Sequence, residues 1–444
     1  MRKRLLCSFL FLAGFSLFAE TVNLEQVRTL ALQNSKSLAK YNLAIRGTVL
    51  DDRTLLYSNL PSLSLGASAS MSLWSAARAA PIENPFDTFS AGASVSLSQK
   101  IFEGGKSVIQ KAINNIASES ARKDALAEFF NILDSADSAY YAVLEAEAAL
   151  EAEESSLASA ATSLAMAEIR YSGGILNQGD YLKALAEKES RENSRNQARR
   201  TLSLNIIKLK AITGPLDLEE LEQIQFSKFE ELIERLGTIS DEEADTLYVE
   251  FWNLLVQGNP SLAKAYLSRD RSEKNLSLSK TSYLPSLGAS FSTGLNYTQG
   301  NGLEMSGGRV SLSASIPIDY WVLANNVEKS RIARDSAMLD FLNAEINLET
   351  ELYSALLNVF AYAGSFISTR RSLEYAEKHF EYISELYRLS QSSVSEYGDA
   401  VTLLLTSRNN HIRASYGFLQ GFSKLRSLAA IDDEERLTFF LLGN

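Results

Sequence analysis

Few residues in this chain of 444 are of the types that perform catalysis or bind metal ions. Its two histidines, His379 and His411, are 32 positions apart in predicted helices, and its one cysteine is Cys7. A zinc site needs about four histidine or cysteine ligands at close spacing. We therefore predict solvated helix positions for both histidines, and we expect no enzyme activity, no cofactor and no metal site.

Glycines, serines and carboxylates are the remaining candidates for chemistry. Gly104-Gly105 and Gly307-Gly308 lack the spacing and the lysine of a phosphate-binding loop. Serines on the predicted strands alternate with apolar residues, which is typical of a polar strand face rather than of nucleophiles. Asp180 and Asp399 each follow a glycine at matching places in the chain. One interpretation of these two aspartates is a helix N-cap, because Asp is a common residue there.

The elements that would position such residues begin with a stretch of strict alternation at residues 61–73. From position 63 onward its odd residues are apolar and its even residues are serine or glycine. Period two predicts a β-strand with one apolar face, and about twelve residues suffice for a tilted strand to cross a bilayer. The same pattern recurs at residues 90–102, 286–297 and 309–318. The side chains that we predict to face lipid are Leu63, Leu65, Leu73, Val95, Leu97, Leu287, Phe291, Val310 and Leu312.

Most of the rest of the chain predicts long helices. Apolar residues recur at three- and four-residue spacing over residues 24–58. Residues 106–172 contain no proline or glycine, which predicts one helix about 100 Å long at 1.5 Å per residue. In each half of the chain, we expect the two shorter helices to stack end to end beside the long one. The further predicted helices are 180–213, 243–282, 324–389 and 397–431.

An internal duplication of roughly 220 residues underlies this order. The letters Val-Ser-Leu-Ser at 95–98 return at 310–313, and Gly179-Asp180 matches Gly398-Asp399. Each copy is predicted to run helix, strand, strand, long helix, turn, helix. The predicted divisions are a first repeat at 20–214, an acidic connection at 215–243, a second repeat at 244–431 and a C-terminal tail at 432–444.

The N-terminus predicts export. Basic residues at 2–4 precede an apolar run at 5–18, and Ala19 is a plausible cleavage site, so residues 1–19 are predicted to be a signal peptide. An uncleaved anchor is the alternative. No later run reaches about 18 apolar residues, so we expect no transmembrane helix in the mature chain. The formal charge of −11 argues against nucleic acid as a partner.

Four membrane strands cannot close a barrel, since the smallest single-chain barrels have eight. Open strand edges in lipid leave backbone groups unpaired at several kcal/mol each, so copies of the chain must associate. Two, three or four copies would give eight, twelve or sixteen strands. Small polar residues on one face favour at least twelve strands around an open lumen.

The repeat, the strand pairs and the Gly-Asp helix turns resemble the TolC-like outer membrane efflux protein (OEP) family over residues 24–431. Residues 170–174 followed by 179–184 are similar to the first tip motif of that family, and residues 395–401 represent the second. The resemblance implies a mixed fold, all-α plus membrane β. Long helical hairpins would form a periplasmic α-barrel, continuous with a trimeric twelve-stranded transmembrane β-barrel to which each chain contributes four strands.

The resemblance also implies partners and roles. The chain would be a passive channel of a tripartite efflux or type I secretion system, as a homotrimer in outer-membrane lipid. Its partners would be a periplasmic adaptor (membrane fusion) protein and an inner-membrane RND or ABC transporter. Asp180 and Asp399 would form carboxylate rings at the periplasmic tunnel mouth. Tip turns and adaptor contacts would be made by Tyr171, Gly173, Gly174, Gly179 and Gly398.

A structural or adhesive protein that uses the same barrel only as an anchor is the alternative function. Polar strand faces favour the channel, because an anchor does not need a lumen. The predicted loops at 75–88 and 298–307 are short, whereas an adhesive protein favours long ones.

Overall fold

A computed structural model describes residues 21–71, 74–75, 80–81, 89–214, 221–299 and 301–442. The predicted signal peptide, Leu73 and most of the predicted loop at 75–88 lie outside the described residues. The chain divides into two compact units. Unit 1 contains the described residues within 1–35, 130–249 and 354–444, and unit 2 contains those within 36–129 and 250–353. Each unit takes segments from both predicted repeats, so the repeats of the sequence are not the compact units of the structure.

The strands described in unit 2 are β1 (Ser62–Ser70), β2 (Trp74–Ser75), β3 (Ala80–Pro81), β4 (Ser90–Glu103), β5 (Ser286–Thr298) and β6 (Gly302–Ser315). Four of them form an antiparallel sheet in the order β1-β4-β5-β6. The two short strands, β2 and β3, pair with each other.

The register of the sheet separates apolar from polar side chains. Leu63 lies opposite Leu97, Leu97 opposite Phe291, and Phe291 opposite Val310. Alternation puts the other predicted apolar positions that the structure describes on this same face: Leu65, Val95, Leu287 and Leu312. Serines occupy the opposite face, where hydroxyl groups of β1 and β4 bond to each other at 2.6 to 2.8 Å.

Strand β6 begins earlier than the alternation of the sequence predicts. Ser292 pairs with Arg309, but Gly294 pairs with Ser306, so β6 carries an extra residue between these two pairs. This bulge contains Gly307 and Gly308 and shifts the alternation of β6. A Cβ atom at Gly308 would lie 3.0 Å from the ring of Phe291, so a larger residue there would require this ring to shift.

Ten α-helices are described in the structure: α1 (Leu24–Asn34), α2 (Lys36–Ser58), α3 (Lys106–Ser172), α4 (Gln178–Thr213), α5 (Glu230–Gly237), α6 (Asp241–Gly258), α7 (Pro260–Lys280), α8 (Tyr320–Arg388), α9 (Val394–Ala429) and α10 (Glu434–Leu441). Single residues interrupt two predicted helices. Ser35, with an extended backbone, separates α1 from α2. Asn259 caps α7 and precedes Pro260, which has no N–H to continue α6. None of the described helices is long and apolar enough to cross a membrane.

The core of unit 1 includes two short helices that the sequence did not predict. Helix α5 lies in the predicted acidic connection, and its apolar face is buried through Leu232, Ile233 and Leu236. Helix α10 lies in the predicted C-terminal tail and buries Leu437 and Leu441. Both segments therefore contribute hydrophobic surface to the core of the unit.

Candidate functional site

The turn between α3 and α4, in unit 1, reverses the chain through a left-handed glycine. Gly174 has a φ of +73°, and the N–H of Ile175 donates to the carbonyl oxygen of Arg170 at 2.8 Å. Glycine adopts this conformation without steric cost. Tyr171 and Gly173 are exposed beside it. The predicted tip residues of the first motif thus lie together at one helical turn.

Helix α4 begins with an asparagine and an aspartate that bond to each other. Asn177 is the N-cap: its Oδ1 accepts from the N–H of Asp180 at 2.9 Å, and its Nδ2 donates to Asp180 Oδ2 at 2.7 Å. The N-cap interpretation of Asp180 is therefore wrong, since this residue is the third of the helix. Gly179 lies within the first turn of α4, whereas the predicted helix begins only at residue 180. A carboxylate in this turn interacts favourably with the helix dipole.

The turn between α8 and α9 has the same geometry with different residues. Ser390 has a φ of +62°, and the N–H of Gln391 donates to the carbonyl oxygen of Leu386 at 2.8 Å. Each of these residues follows its counterpart in the first turn by 216 positions. The two tips are structural repeats even though a serine replaces the left-handed glycine.

A capping box begins α9. Ser393 Oγ accepts from the N–H of Glu396 at 3.1 Å, and Glu396 Oε2 accepts from the N–H of Ser393 at 2.8 Å. The backbone hydrogen bond from Ser393, followed by the hydroxyls of Ser392 and Ser393, lowers the pKa of Glu396. Asp399 is exposed three residues further along, so it is not an N-cap either.

Glu396, rather than Asp399, is the structural counterpart of Asp180. The two turns are 216 positions apart, whereas Asp180 and Asp399 are 219 apart. The predicted match of the two Gly-Asp pairs is therefore wrong by three residues, because the same letters fall at different distances from the turn. Gly398 lies inside α9, where a Cβ atom would meet nothing within 4 Å.

Stacked tyrosines support both turns. The rings of Tyr171 and Tyr181 are 5.0 Å apart and nearly parallel, and those of Tyr387 and Tyr397 are 4.6 Å apart. Tyr387 and Tyr397 are buried, whereas Tyr171 is exposed. Burial raises the pKa of Tyr397. Side chains from both hairpins form the core around the second pair: Ala167, Ala184, Val394 and Val401.

Polar contacts join the two hairpins at this core. The guanidinium of Arg170 lies 4.5 Å from the centre of the Tyr387 ring and donates to the Tyr387 carbonyl oxygen. Lys183 Nζ donates to Ser395 Oγ at 2.8 Å. The structure thus brings both predicted tip motifs to one place and ties the first helical hairpin to the second.

A buried ion cluster elsewhere in unit 1 gave no signal in the sequence. Asp137 is fully buried and accepts from Arg28 Nε, Arg426 Nη2 and Ser423 Oγ, each at 2.6 Å. Glu434 of α10 contacts both arginines. Burial by itself lowers the pKa of Arg28, but the hydrogen bond and charge of Asp137, with the charge of Glu434, raise it above its ordinary value. These residues are scattered along the whole chain, and only folding brings them together.

The histidines differ from each other. His379 is exposed, as predicted. His411 is half-buried: its ring lies 4.9 Å from that of Phe366, and burial followed by the charge of Arg370 lowers its pKa. The prediction of a solvated position is wrong for His411. Within the described ranges, no group of three or more histidine, cysteine or acidic side chains is arranged to hold a metal ion.

Comparison with known proteins identifies relatives along almost the whole chain. The sequence model of the family described as "Outer membrane efflux protein" matches residues 27–215 and 252–430. The Outer membrane protein TolC of Escherichia coli (strain K12) is 24% identical, over 96% of this chain and 86% of the relative.

Solved structures with the same fold include two outer-membrane proteins. The Campylobacter jejuni CmeC outer membrane channel superposes with a TM-score of 0.75 at 16% identity, over 93% of this chain and 88% of that one. The outer membrane protein VceC of Vibrio cholerae superposes with a TM-score of 0.73 at 15% identity, over 92% of this chain and 96% of that one.

Proposed function

This chain belongs to the outer membrane efflux protein family and is an outer-membrane efflux channel that extends into the periplasm, and from that premise we propose that three copies form the conducting assembly. Members of this family are channels rather than enzymes. The observation that carries the proposal is the open sheet of unit 2, which has one apolar face and one polar face that consists mainly of serine and glycine.

Three such sheets side by side supply twelve strands. Within the described residues, neither the outer edge of β1 nor that of β6 pairs with another strand. Each unpaired backbone group in lipid costs several kcal/mol, so pairing β6 of one copy with β1 of the next is strongly favourable. The apolar face, which includes Leu65 and Val310, would then contact lipid, and the serine face would line an aqueous lumen.

The tip turns of unit 1 would form the periplasmic mouth of the assembly. Three copies of Asp180 and Asp399 would give two rings of carboxylates, and Glu396 would add a third. Rings of this kind attract cations and repel anions. The exposed turn residues Tyr171 and Gly174 would be available for contact with a partner protein.

The partners that we propose are a periplasmic adaptor (membrane fusion) protein at the tip turns, including Gly173, Gly179 and Gly398, and an inner-membrane RND or ABC transporter. The predicted signal peptide at 1–19 would direct export of the chain, which both the outer-membrane sheet and the periplasmic mouth require. A type I secretion system is a second setting in which the same channel would work. The alternative, an anchor without transport, does not require a lumen and therefore does not account for the serine face of the sheet.

Planar-bilayer recording of the purified protein tests this proposal. We expect a cation-preferring conductance whose selectivity falls in Asp180→Ala and in Asp399→Ala. Glu374→Ala is the matched control, because Glu374 is an exposed carboxylate of α8 that pairs with Lys378 on its own helix. The control should conduct with unchanged selectivity.

Two results would contradict the proposal. A folded oligomer that never conducts, as wild type or as either variant, would indicate a sealed anchor. A conducting channel whose ion selectivity is the same in wild type and both variants would show that these aspartates do not line the mouth.

A further inference from the structure

The polar face of the sheet in unit 2 has seven rows of side chains, and few of them are charged. On β6 the residues of these rows are, in order, Gly302, Glu304, Ser306, Arg309, Ser311, Ser313 and Ser315. The described strands carry four charged side chains on this face: Lys100, Glu103, Glu304 and Arg309. Lys100 Nζ pairs with Glu103 Oε1 at 2.9 Å, which leaves Glu304 and Arg309 as the separate charges.

Arg309 lies in the fourth of the seven rows, at mid-height of the sheet. It is exposed, and among the described residues it belongs to no ion pair. Glu304, on the same strand, is two rows away, which is about 13 Å at 3.4 Å per residue. A charge near the middle of a membrane-spanning segment is rare, and it commonly marks the pathway of an ion or a solute.

The bulge of β6 is what puts Arg309 on the polar face. Before the bulge, even-numbered residues such as Glu304 and Ser306 share this face, and after it odd-numbered residues do, beginning with Arg309. In an unbroken strand, Arg309 would lie on the apolar face with Met305, and Val310 would lie among the serines. Bulges commonly redirect a side chain beside a functional site. The backbone of β6 therefore directs this guanidinium group away from lipid.

Within the described part of the sheet, no neighbour of Arg309 neutralises its charge. Ser292 lies opposite it on β5. The next copy of the chain would place β1 along the other side of β6, and the polar face of β1 consists of serines at residues 62, 64, 68 and 70 and a glycine at 66. Whichever of these residues pairs with Arg309, it brings no carboxylate to this row. The small side chains also leave the guanidinium group room to extend into the lumen.

We propose that Arg309 forms an anion-binding site of the channel, a ring of three guanidinium groups at mid-height of the lumen. This inference rests on the proposed trimer. Twelve strands about 4.8 Å apart and tilted by about 40° close into a barrel roughly 24 Å across at the backbone. Side chains that extend inward from this wall bring their charges within about 8 Å of the axis, which is one Debye length at physiological salt. A solute that crosses here therefore passes through the field of all three groups.

The ligand class follows from the chemistry of the guanidinium group. Its planar N–H donors match the two oxygens of a carboxylate or of a phosphate group, which arginine binds in a bidentate manner. Three such groups around one axis suit a solute that carries several oxyanion groups. The proposed mouth and the barrel would then carry opposite charges, so that loss of one or the other should shift ion selectivity in opposite directions.

Block of the open channel by inorganic pyrophosphate tests this site. Planar-bilayer recordings at constant ionic strength, without divalent cations, compare wild type with Arg309→Gln and Arg309→Lys. We expect Arg309→Gln to raise the half-blocking concentration of pyrophosphate about tenfold, because three positive charges within a Debye length of the axis are lost. Arg309→Lys keeps these charges and should stay within about threefold of wild type. Cation preference, measured from the reversal potential, should increase in Arg309→Gln, whereas Asp180→Ala should lower it.

Lys100→Gln is the matched control, because it removes an equal charge from the same face, but from a side chain that already pairs with Glu103. Its half-blocking concentration should stay within about twofold of wild type, since an exposed ion pair contributes little net charge. If Arg309→Gln does not assemble, Arg309→Ser, which continues the serine pattern of this face, is the second neutral variant.

The outcomes separate failure of this inference from failure of the proposed function. The inference alone is overturned by a channel whose selectivity falls in Asp180→Ala but which pyrophosphate blocks equally in wild type and in the neutral Arg309 variants, or does not block at all. Loss of block to the same extent in Arg309→Lys or in Lys100→Gln overturns it as well. A folded oligomer that never conducts overturns the proposed function and this inference with it.

Discussion

Removing the charge of Asp137 should loosen α1 and α10 of unit 1. In Asp137→Asn, the guanidinium groups of Arg28 and Arg426 stay buried but lose the carboxylate that each contacts at 2.6 Å. Breaking a buried ion pair by neutralising one partner costs about 3–5 kcal/mol, because a buried charge is left uncompensated. Half-exposed Glu434 contacts both arginines and offsets part of this cost. We therefore expect the lower end of the range.

Hydrogen exchange of the backbone amides measures this effect locally. A loss of about 3 kcal/mol corresponds to a fall of roughly a hundredfold in protection of α1 and α10. Amides of α4 near the tip should not change. Glu25→Gln is the matched control: it removes another carboxylate from the same Arg28, but the side chain of Glu25 is 76% exposed, so about 0–1 kcal/mol is at stake.

The reasoning would be refuted if Asp137→Asn changed protection no more than Glu25→Gln does. A double variant gives a further check. Arg426→Met added to Asp137→Asn removes one of the uncompensated charges, so the double variant should lose less than the sum of the two single variants. Strict additivity would mean that Asp137 and Arg426 are not energetically coupled.

Two further predictions concern helices of unit 1. The lowered pKa of Glu396 means that its cap stabilises α9 above the ordinary pKa of a glutamate and that this contribution is lost as pH falls through the lower folded value. Protection of the first turn of α9 should therefore drop only when the pH falls below the ordinary pKa of a glutamate, and Glu396→Gln should abolish that drop. Gly398→Ala should stabilise α9 by about 0.5–1 kcal/mol because its Cβ meets open space. Gly237→Ala should instead destabilise the protein by about 1–3 kcal/mol, because its Cβ would lie 3.0 Å from the backbone of Ala363. Equal effects of the two substitutions on thermal unfolding would contradict this prediction.

The sequence was sufficient for features that depend on local periodicity. Alternation at Leu63 and Leu65 depends only on the two-residue repeat of a strand, so it predicted which side chains share a face. The long helices followed in the same way from spacing and from the absence of proline and glycine. The structure differs from the predicted bounds where one residue interrupts the pattern, as Ser35 does in the first predicted helix and the extra residue of the bulge does in β6.

Equivalence between the two tips required the structure. Identical letters at Asp180 and Asp399 suggested one alignment, but the left-handed residues Gly174 and Ser390 define another. A φ above zero is a property of the backbone, and serine adopts it too rarely for the sequence to reveal it. The structure therefore added Glu396 to the candidate mouth.

Long-range contacts were decided by tertiary structure alone. Asp137, Arg28 and Arg426 carry no periodic signal, because a buried ion cluster depends on which helices meet and at what level. His411 likewise became half-buried only through its packing beside Phe366. Periodicity along the chain determines what each element is and which face it presents; which side chains meet between elements depends on packing that no local pattern encodes.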